Sequence, residues 1–511
     1  MSHSITPVTL NDQAICWQDI VQVARHNSPL ELTDKVRSKL RNGRAIVEQI
    51  VKTQQKAYGI TTGLGALCEV LLQPEELSQL SYNTVLSHAC GVGDTLKVEQ
   101  TRAIMCVAVV NYSKGTAGIS PTIVELIVDL LNHQITPCVP KKGSVGYLTH
   151  MAHIGLTLIG IGDVDYAGRT MPAAEALALC GLSVVELGAK DGLSLVNGTP
   201  CATGISCLAL DDCKRLAQWA DVTAAMSFEA LSGQKNAFDQ EILSLKPFEG
   251  LQRVGENLRL LLADSSVIES RQGLRTQDAL SIRAIPQIHG ACRDQFKHAE
   301  QQINTELNSS SDNPMVLGTA ENYRVISHAH PHGESMAMAC DLMTIAVHEL
   351  SSVAERRLDR LVNPLVSGLP PFLVKHSGVN SGMMIAQYVA ASLVGENKIL
   401  SQPSVVNNFV TSGLQEDHLS MSTPASLKLQ EVLDNSFNVI AIEYLFGAQA
   451  FEFFTDETFG KGTQLAWRWL RQHIAPYHED RWLAPEINLC SELIRQHKVN
   501  EVLQSLDGNI Y

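Results

Sequence analysis

The sequence predicts a mainly α-helical protein built on a bundle of long helices. Apolar residues recur at helical spacing through the second half of the chain, the long periodic stretches are rich in alanine with polar outer faces, and strand-like alternation is scarce. In "CLALDDCKRLAQWADVTAAMSFEAL" the apolar stripe is Leu210, Cys213, Ala217, Ala220, Ala224, Phe228 and Leu231. From Glu334 to Val362 it is Met336, Cys340, Met343, Val347, Leu350, Val353, Leu358 and Leu361, and Asn363-Pro364 stops it. Gly382 to Leu400 gives a third long helix and Ala425 to Phe446 a fourth. Helices of this kind bury their stripes against one another.

The first part is more mixed. Helices are expected over Leu30–Gln54, Pro74–Gly91, Gln100–Tyr112 and Pro121–His133. Glycine-rich or proline-bounded loops interrupt them: "AYGITTGLG" from Ala57 to Gly65, the connector "TPCVPKKGSVG", and "GLSLVNGTP" from Gly192 to Pro200. The expected division is a mixed domain over residues 1–200 and a helical domain over 201–511.

The bulk numbers narrow the function. In 511 residues, 45% are hydrophobic and 18% charged, enough for a substantial core. A net charge of −14, without any lysine or arginine run, argues against a nucleic-acid partner. The expected partner is a small molecule or another copy of the chain. None of the twelve cysteines forms a CxxC pair. The start "MSHSITPVTL" is not patterned as a secretory signal, and no run of about 18 uninterrupted apolar residues appears. A cytoplasmic protein with reduced thiols and no membrane span is expected.

Single motifs are weak. "HAHPH" spaces His328, His330 and His332 so that they could hold zinc, but a polar loop entering the long helix is the preferred reading, and no metal is expected. "GITTGLG" and "FGKGT" lack the spacing of a phosphate loop. The glycines of the first loop would let the backbone come close to something small. In "LQEDHLSM", adjacent Glu416, Asp417 and His418 cannot all face one way on a helix. Arg283 suits a substrate carboxylate, although a lone arginine is more often a structural ion pair.

Together the motifs are specific. "YGITTGLG", "LSHACGVG", "KKGSVG", "LVNGTP", "QDALSIRAIPQ", "SSDNP", "LPPFLV", "GVNSGMMIAQ", "GENK" and "QEDHLSM" follow in this order across almost the whole chain. In that order and spacing the chain resembles the histidine and phenylalanine ammonia-lyases and the related aminomutases. The resemblance implies a mainly α-helical, intertwined homotetramer whose sites are assembled from several subunits and take an amino acid substrate. It implies elimination of ammonia from an aromatic or histidine-like α-amino acid, or return of the amine at the β-carbon in a 2,3-aminomutase. It also implies a prosthetic electrophile, 4-methylidene-imidazol-5-one (MIO), cyclised from an internal Ala-Ser-Gly, which makes the amine a better leaving group. Carried over, Tyr58 would be the base for the β-proton, a role that asks for a lowered pKa. Arg283 would hold the carboxylate, and Asn197 and Gln277 would position substrate and electrophile. His88 and Glu416 resemble the histidine-lyase pattern, where one donor and one acceptor meet an imidazole. The bland readings are a core tyrosine at Tyr58 and an ordinary helix residue at His88.

The chain also departs from the family. The Ala-Ser-Gly expected between Gly146 and Tyr147 is not there, and none occurs elsewhere. His153 keeps its place only if three residues are missing. Two readings stay open. A matured triad is a modified group with no standard amino-acid letters, or the chain keeps the lyase fold without the electrophile. The gap removes the triad and nothing else, which favours the first. Tyr147 replaces the acidic residue that follows the triad, Leu280 stands where the family has a tyrosine, and His330-Pro331 replace Asn-Phe. These positions flank the expected electrophile or the substrate, and a different substrate or a mutase outcome would accommodate them.

Overall fold

The structure, a computed structural model, describes residues 6–511. It is mainly helical, as the periodicity predicts. The chain forms two compact units. Among the described residues, the first comprises 6–209, 300–341 and 403–427, and the second 210–299, 342–402 and 428–511.

The long helices run Pro200–Ala230, Ile285–Leu307, Glu334–Val362, Met384–Leu400 and Ser422–Phe451. Glu334–Val362 has the bounds its apolar stripe predicts. Ser422–Phe451 is longer at both ends than its stripe. The leucine at position 30 opens no helix. Leu30–Leu32 is a short strand paired in parallel with Val8–Leu10. The helix follows at Asp34–Lys52, with the Thr33 hydroxyl accepting from the Val36 N–H at 3.5 Å. Further on, Pro74–Glu76 is a 3₁₀ turn and the helix proper is Leu77–His88.

In the first unit, helix Val98–Tyr112 is buried from Gln100 onward. Gly204 lets another helix cross it closely: a Cβ there would sit 2.8 Å from the Ala103 carbonyl carbon. Small sheets decorate this core. Val92–Thr95 pairs antiparallel with Pro140–Lys142, and Met315–Thr319 pairs with Asn322–Ile326. The first of these pairings brings the segment after "LSHAC" beside the approach to Gly143. Strands of three to five residues are too short to show a period of two in sequence.

The second unit holds a buried charged network. Arg357 donates to both oxygens of Glu443, at 2.5 and 3.0 Å, while Thr223 and Ser227 donate to the same carboxylate at 2.8 and 2.9 Å. Asp221 accepts from Arg293 at 2.6 Å and Asn257 at 2.8 Å, and pairs with His289 at 2.7 Å. Burial alone would raise the Asp221 carboxyl, but Arg293 and His289 outweigh it and hold the group below the usual range. Each buried charge here has its partners.

Candidate active site

The turn Gly143–Tyr147 is built by hydroxyls and glycines. The Ser144 hydroxyl donates to the Tyr147 carbonyl at 2.9 Å and accepts from the Gly146 N–H at 3.2 Å. Gly146 has φ +151°, and a Cβ on it would lie 2.6 Å from the Ser420 hydroxyl. The Ser422 hydroxyl donates to the Gly146 carbonyl at 3.5 Å, and Ser144 reaches Thr423 at 3.4 Å. The turn is therefore clasped by the start of helix Ser422–Phe451. Sequence reasoning missed Ser420 and Ser422, whose only signal was their place just after "QEDH".

The next residue is strained. Leu148 has φ +76° and ψ −78°, and the Thr149 N–H reaches back to the Tyr147 carbonyl at 3.1 Å. That is a γ-turn of the rare, strained hand. Gly146 is bonded directly to Tyr147 in a closed turn. The amino acids present therefore do not fit MIO: nothing between Gly146 and Tyr147 could cyclise to form it. His153, beyond the turn, accepts from the Gly91 N–H at 3.0 Å.

Tyr147 reaches another of the candidates. Its phenol donates to Glu416 at 2.7 Å. Burial, then this bond, pushes the Tyr147 pKa well above the ordinary phenol value. Tyr58 stands in the same electrostatic neighbourhood. Its phenol oxygen accepts from the Gly65 N–H at 3.2 Å, so the glycine loop wraps its own tyrosine. Burial raises the Tyr58 pKa, and the charges of Glu416 and Asp312 add to the rise. Within one chain the surroundings thus move Tyr58 opposite to what a base needs. His88, held at 3.0 Å from the Ser87 hydroxyl, is lowered by burial, while the Glu416 charge works the other way.

Asn197 is fixed from behind. Its amide donates to Asp312 at 3.0 Å and to the Asn313 carbonyl at 2.9 Å. Asp312 is itself paired with the buried Lys190, whose ammonium also reaches Ser194 at 2.9 Å. "LVNGTP" and "SSDNP" thus meet in space.

The first unit contains Tyr58, His88, Gly146, Tyr147, Asn197 and Glu416; Gln277, Leu280 and Arg283 belong to the second. Gln277 is exposed, Leu280 is 63% exposed, and Arg283 donates to the Asp278 carbonyl at 3.2 Å. Leu280 opens the helical turn Leu280–Arg283. His328 and His330 stack edge to face, 4.2 Å between ring centres, while His332 turns away to His418. Pro331 is buried between them.

This helical architecture and these motif contacts define the class. A model of the aromatic amino acid lyase family matches residues 15–472. Histidine ammonia-lyase from Alkaliphilus metalliredigens is 38% identical over 502 residues, covering 98% of this chain and 99% of the relative. Among solved structures, histidine ammonia-lyase from Trypanosoma cruzi superposes with a TM-score of 0.91 at 32% identity, covering 99% of this chain and 96% of that one. Tyrosine aminomutase from Streptomyces globisporus does so with a TM-score of 0.93 at 30% identity, covering 99% and 100%.

The chain belongs to the aromatic amino acid lyase family. The enzyme class this defines is a carbon–nitrogen lyase.

Proposed function

We propose that the chain eliminates ammonia from an aromatic or histidine-like α-amino acid, giving an α,β-unsaturated acid. The observation that carries this reading is the meeting of Tyr58, Tyr147, His88 and Glu416 around one turn, in a chain related along its whole length to histidine ammonia-lyases. Tyr58 takes the β-proton. A substrate ammonium beside it opposes the charges of Glu416 and Asp312 and lowers its pKa toward the working range. Asn197 orients the substrate; the roles that the resemblance gives Arg283 (carboxylate) and Gln277 (positioning) belong to a site assembled from several subunits. His88 and Glu416 face its side chain.

Tyr147 favours a shift away from strict histidine specificity, because its phenol already occupies a Glu416 oxygen. A 2,3-aminomutase outcome is the second reading, consistent with the likeness to tyrosine aminomutase. The protein works as a cytoplasmic homotetramer. In support, helix Met384–Leu400 leaves Ile385, Tyr388 and Ile399 exposed at 57%, 62% and 74%, an apolar face suited to another copy.

The resemblance calls for an electrophile, MIO, between Gly146 and Tyr147, where the 511 amino acids hold nothing that could form it. Intact-protein mass tests this. Mass beyond the 511 residues, placed by peptide mapping between Gly146 and Tyr147, supports the group. A mass equal to the 511 residues assigns the chain to a third reading, a lyase-fold protein that binds amino acids without eliminating ammonia.

A further inference from the structure

His328, His330 and His332 do not converge, since His332 turns from the other two toward His418. His332 Nε2 and His418 Nδ1 lie 3.1 Å apart. The Glu334 carboxylate is 4.0 Å from the other nitrogen of His332. One ligand atom from each of the three falls within 4.8 Å of the others, and among the described residues no other group of three or more does this. A second observation points to a ligand: Glu334 Oε2 has no hydrogen-bond partner, although its side chain is 34% exposed. A cation beside the two imidazoles would satisfy that oxygen.

We propose that His332, Glu334 and His418 form a binding site for a divalent transition metal of the zinc type. Two nitrogens bound to one tetrahedral zinc at about 2.0–2.1 Å lie roughly 3.4 Å apart, close to the spacing of this pair. Two imidazoles and one carboxylate suit zinc, cobalt or nickel rather than magnesium or calcium, which prefer oxygen alone. Three protein ligands leave a fourth position for water or a ligand carboxylate, and the exposure of His418 keeps it reachable.

The site's position gives it interest. His332 and Glu334 straddle Gly333 at the start of helix Glu334–Val362, and a Cβ on Gly333 would meet the Ser422 hydroxyl at 2.8 Å. Ser422 is the residue that donates to the Gly146 carbonyl, and His418 follows Glu416 by two positions. The ion would therefore place positive charge on the structure that clasps the Gly146–Tyr147 turn.

The test is zinc titration of the chelator-stripped full-length protein by calorimetry, with cobalt absorption reporting coordination. The expected result is one ion per chain with a dissociation constant of about 1 μM or tighter. His418→Ala and Glu334→Gln each weaken binding about tenfold or more, while His328→Ala leaves it unchanged. His418 is exposed, so its variant keeps the fold, which circular dichroism checks. Absence of stoichiometric binding, or binding unchanged in both ligand variants, overturns the site. The readout is metal binding, independent of lyase activity.

Discussion

The second unit's Asp221–Glu443 network and the first unit's Tyr147–Glu416 cluster are both built from charged and polar side chains, yet they are finished differently. In the network, Arg357, Glu443, His289 and Asp221 are all fully buried and matched donor to acceptor. In the cluster, Tyr58, Tyr147, His88 and Glu416 are only half-buried, and beside them Leu148 is strained. Satisfied burial is what a framework needs, because a lone buried charge is expensive. Partial exposure, strain and shifted phenols are what a site that admits a ligand shows.

Breaking the framework should have the largest effect on stability. Arg357→Leu strands Glu443 among hydroxyls and lowers unfolding free energy by about 3–5 kcal/mol, read by denaturant titration. An unchanged midpoint would remove the contrast. Tyr58→Phe should do the reverse, slowing turnover by about 10²–10⁴-fold with the denaturation midpoint nearly unmoved. Arg283→Ala should raise KM about tenfold or more, the loss of a charge-assisted bond worth about 1.5–3 kcal/mol, with a smaller change in kcat.

Smaller effects sharpen the picture at the turn. Gly146→Ala forces a methyl onto the Ser420 hydroxyl in a left-handed backbone and should cost about 1–3 kcal/mol. The subtlest test is alkaline titration. Tyr147 and Tyr58 have raised pKa values in the fold, so their stabilising contribution is intact below the ordinary phenol pKa of about 10 and is lost as pH rises past it. Tyrosinate absorbance should show late-ionising groups, one fewer in Tyr147→Phe.

Four of the five long helices were legible because one stripe of apolar residues sets each, while Ile285–Leu307 was not, and Asn363-Pro364 marks an end as clearly in sequence as in space. The small strands were not, since Leu30–Leu32 gains its identity from a partner strand and not from its own pattern. At the candidate site, sequence order pointed to Tyr58, Asn197 and Glu416 but not to how they are held. The Tyr147–Glu416 bond joins residues 269 apart, and the Ser420–Ser422 clasp closes on a turn far back in the chain. Nor does proximity in sequence set the pairing: His332 leaves its neighbours His328 and His330 for His418, 86 positions away.

The central claim is that the half-buried cluster of the first unit eliminates ammonia from an amino acid. The direct measurement is ammonia released from a panel of histidine, tyrosine and phenylalanine, with absorbance of the unsaturated acid and chromatography for β-amino acids. The account predicts equal amounts of ammonia and unsaturated acid from at least one substrate, both lost in Tyr58→Phe. No ammonia from any of them, or release unchanged in Tyr58→Phe, would contradict it.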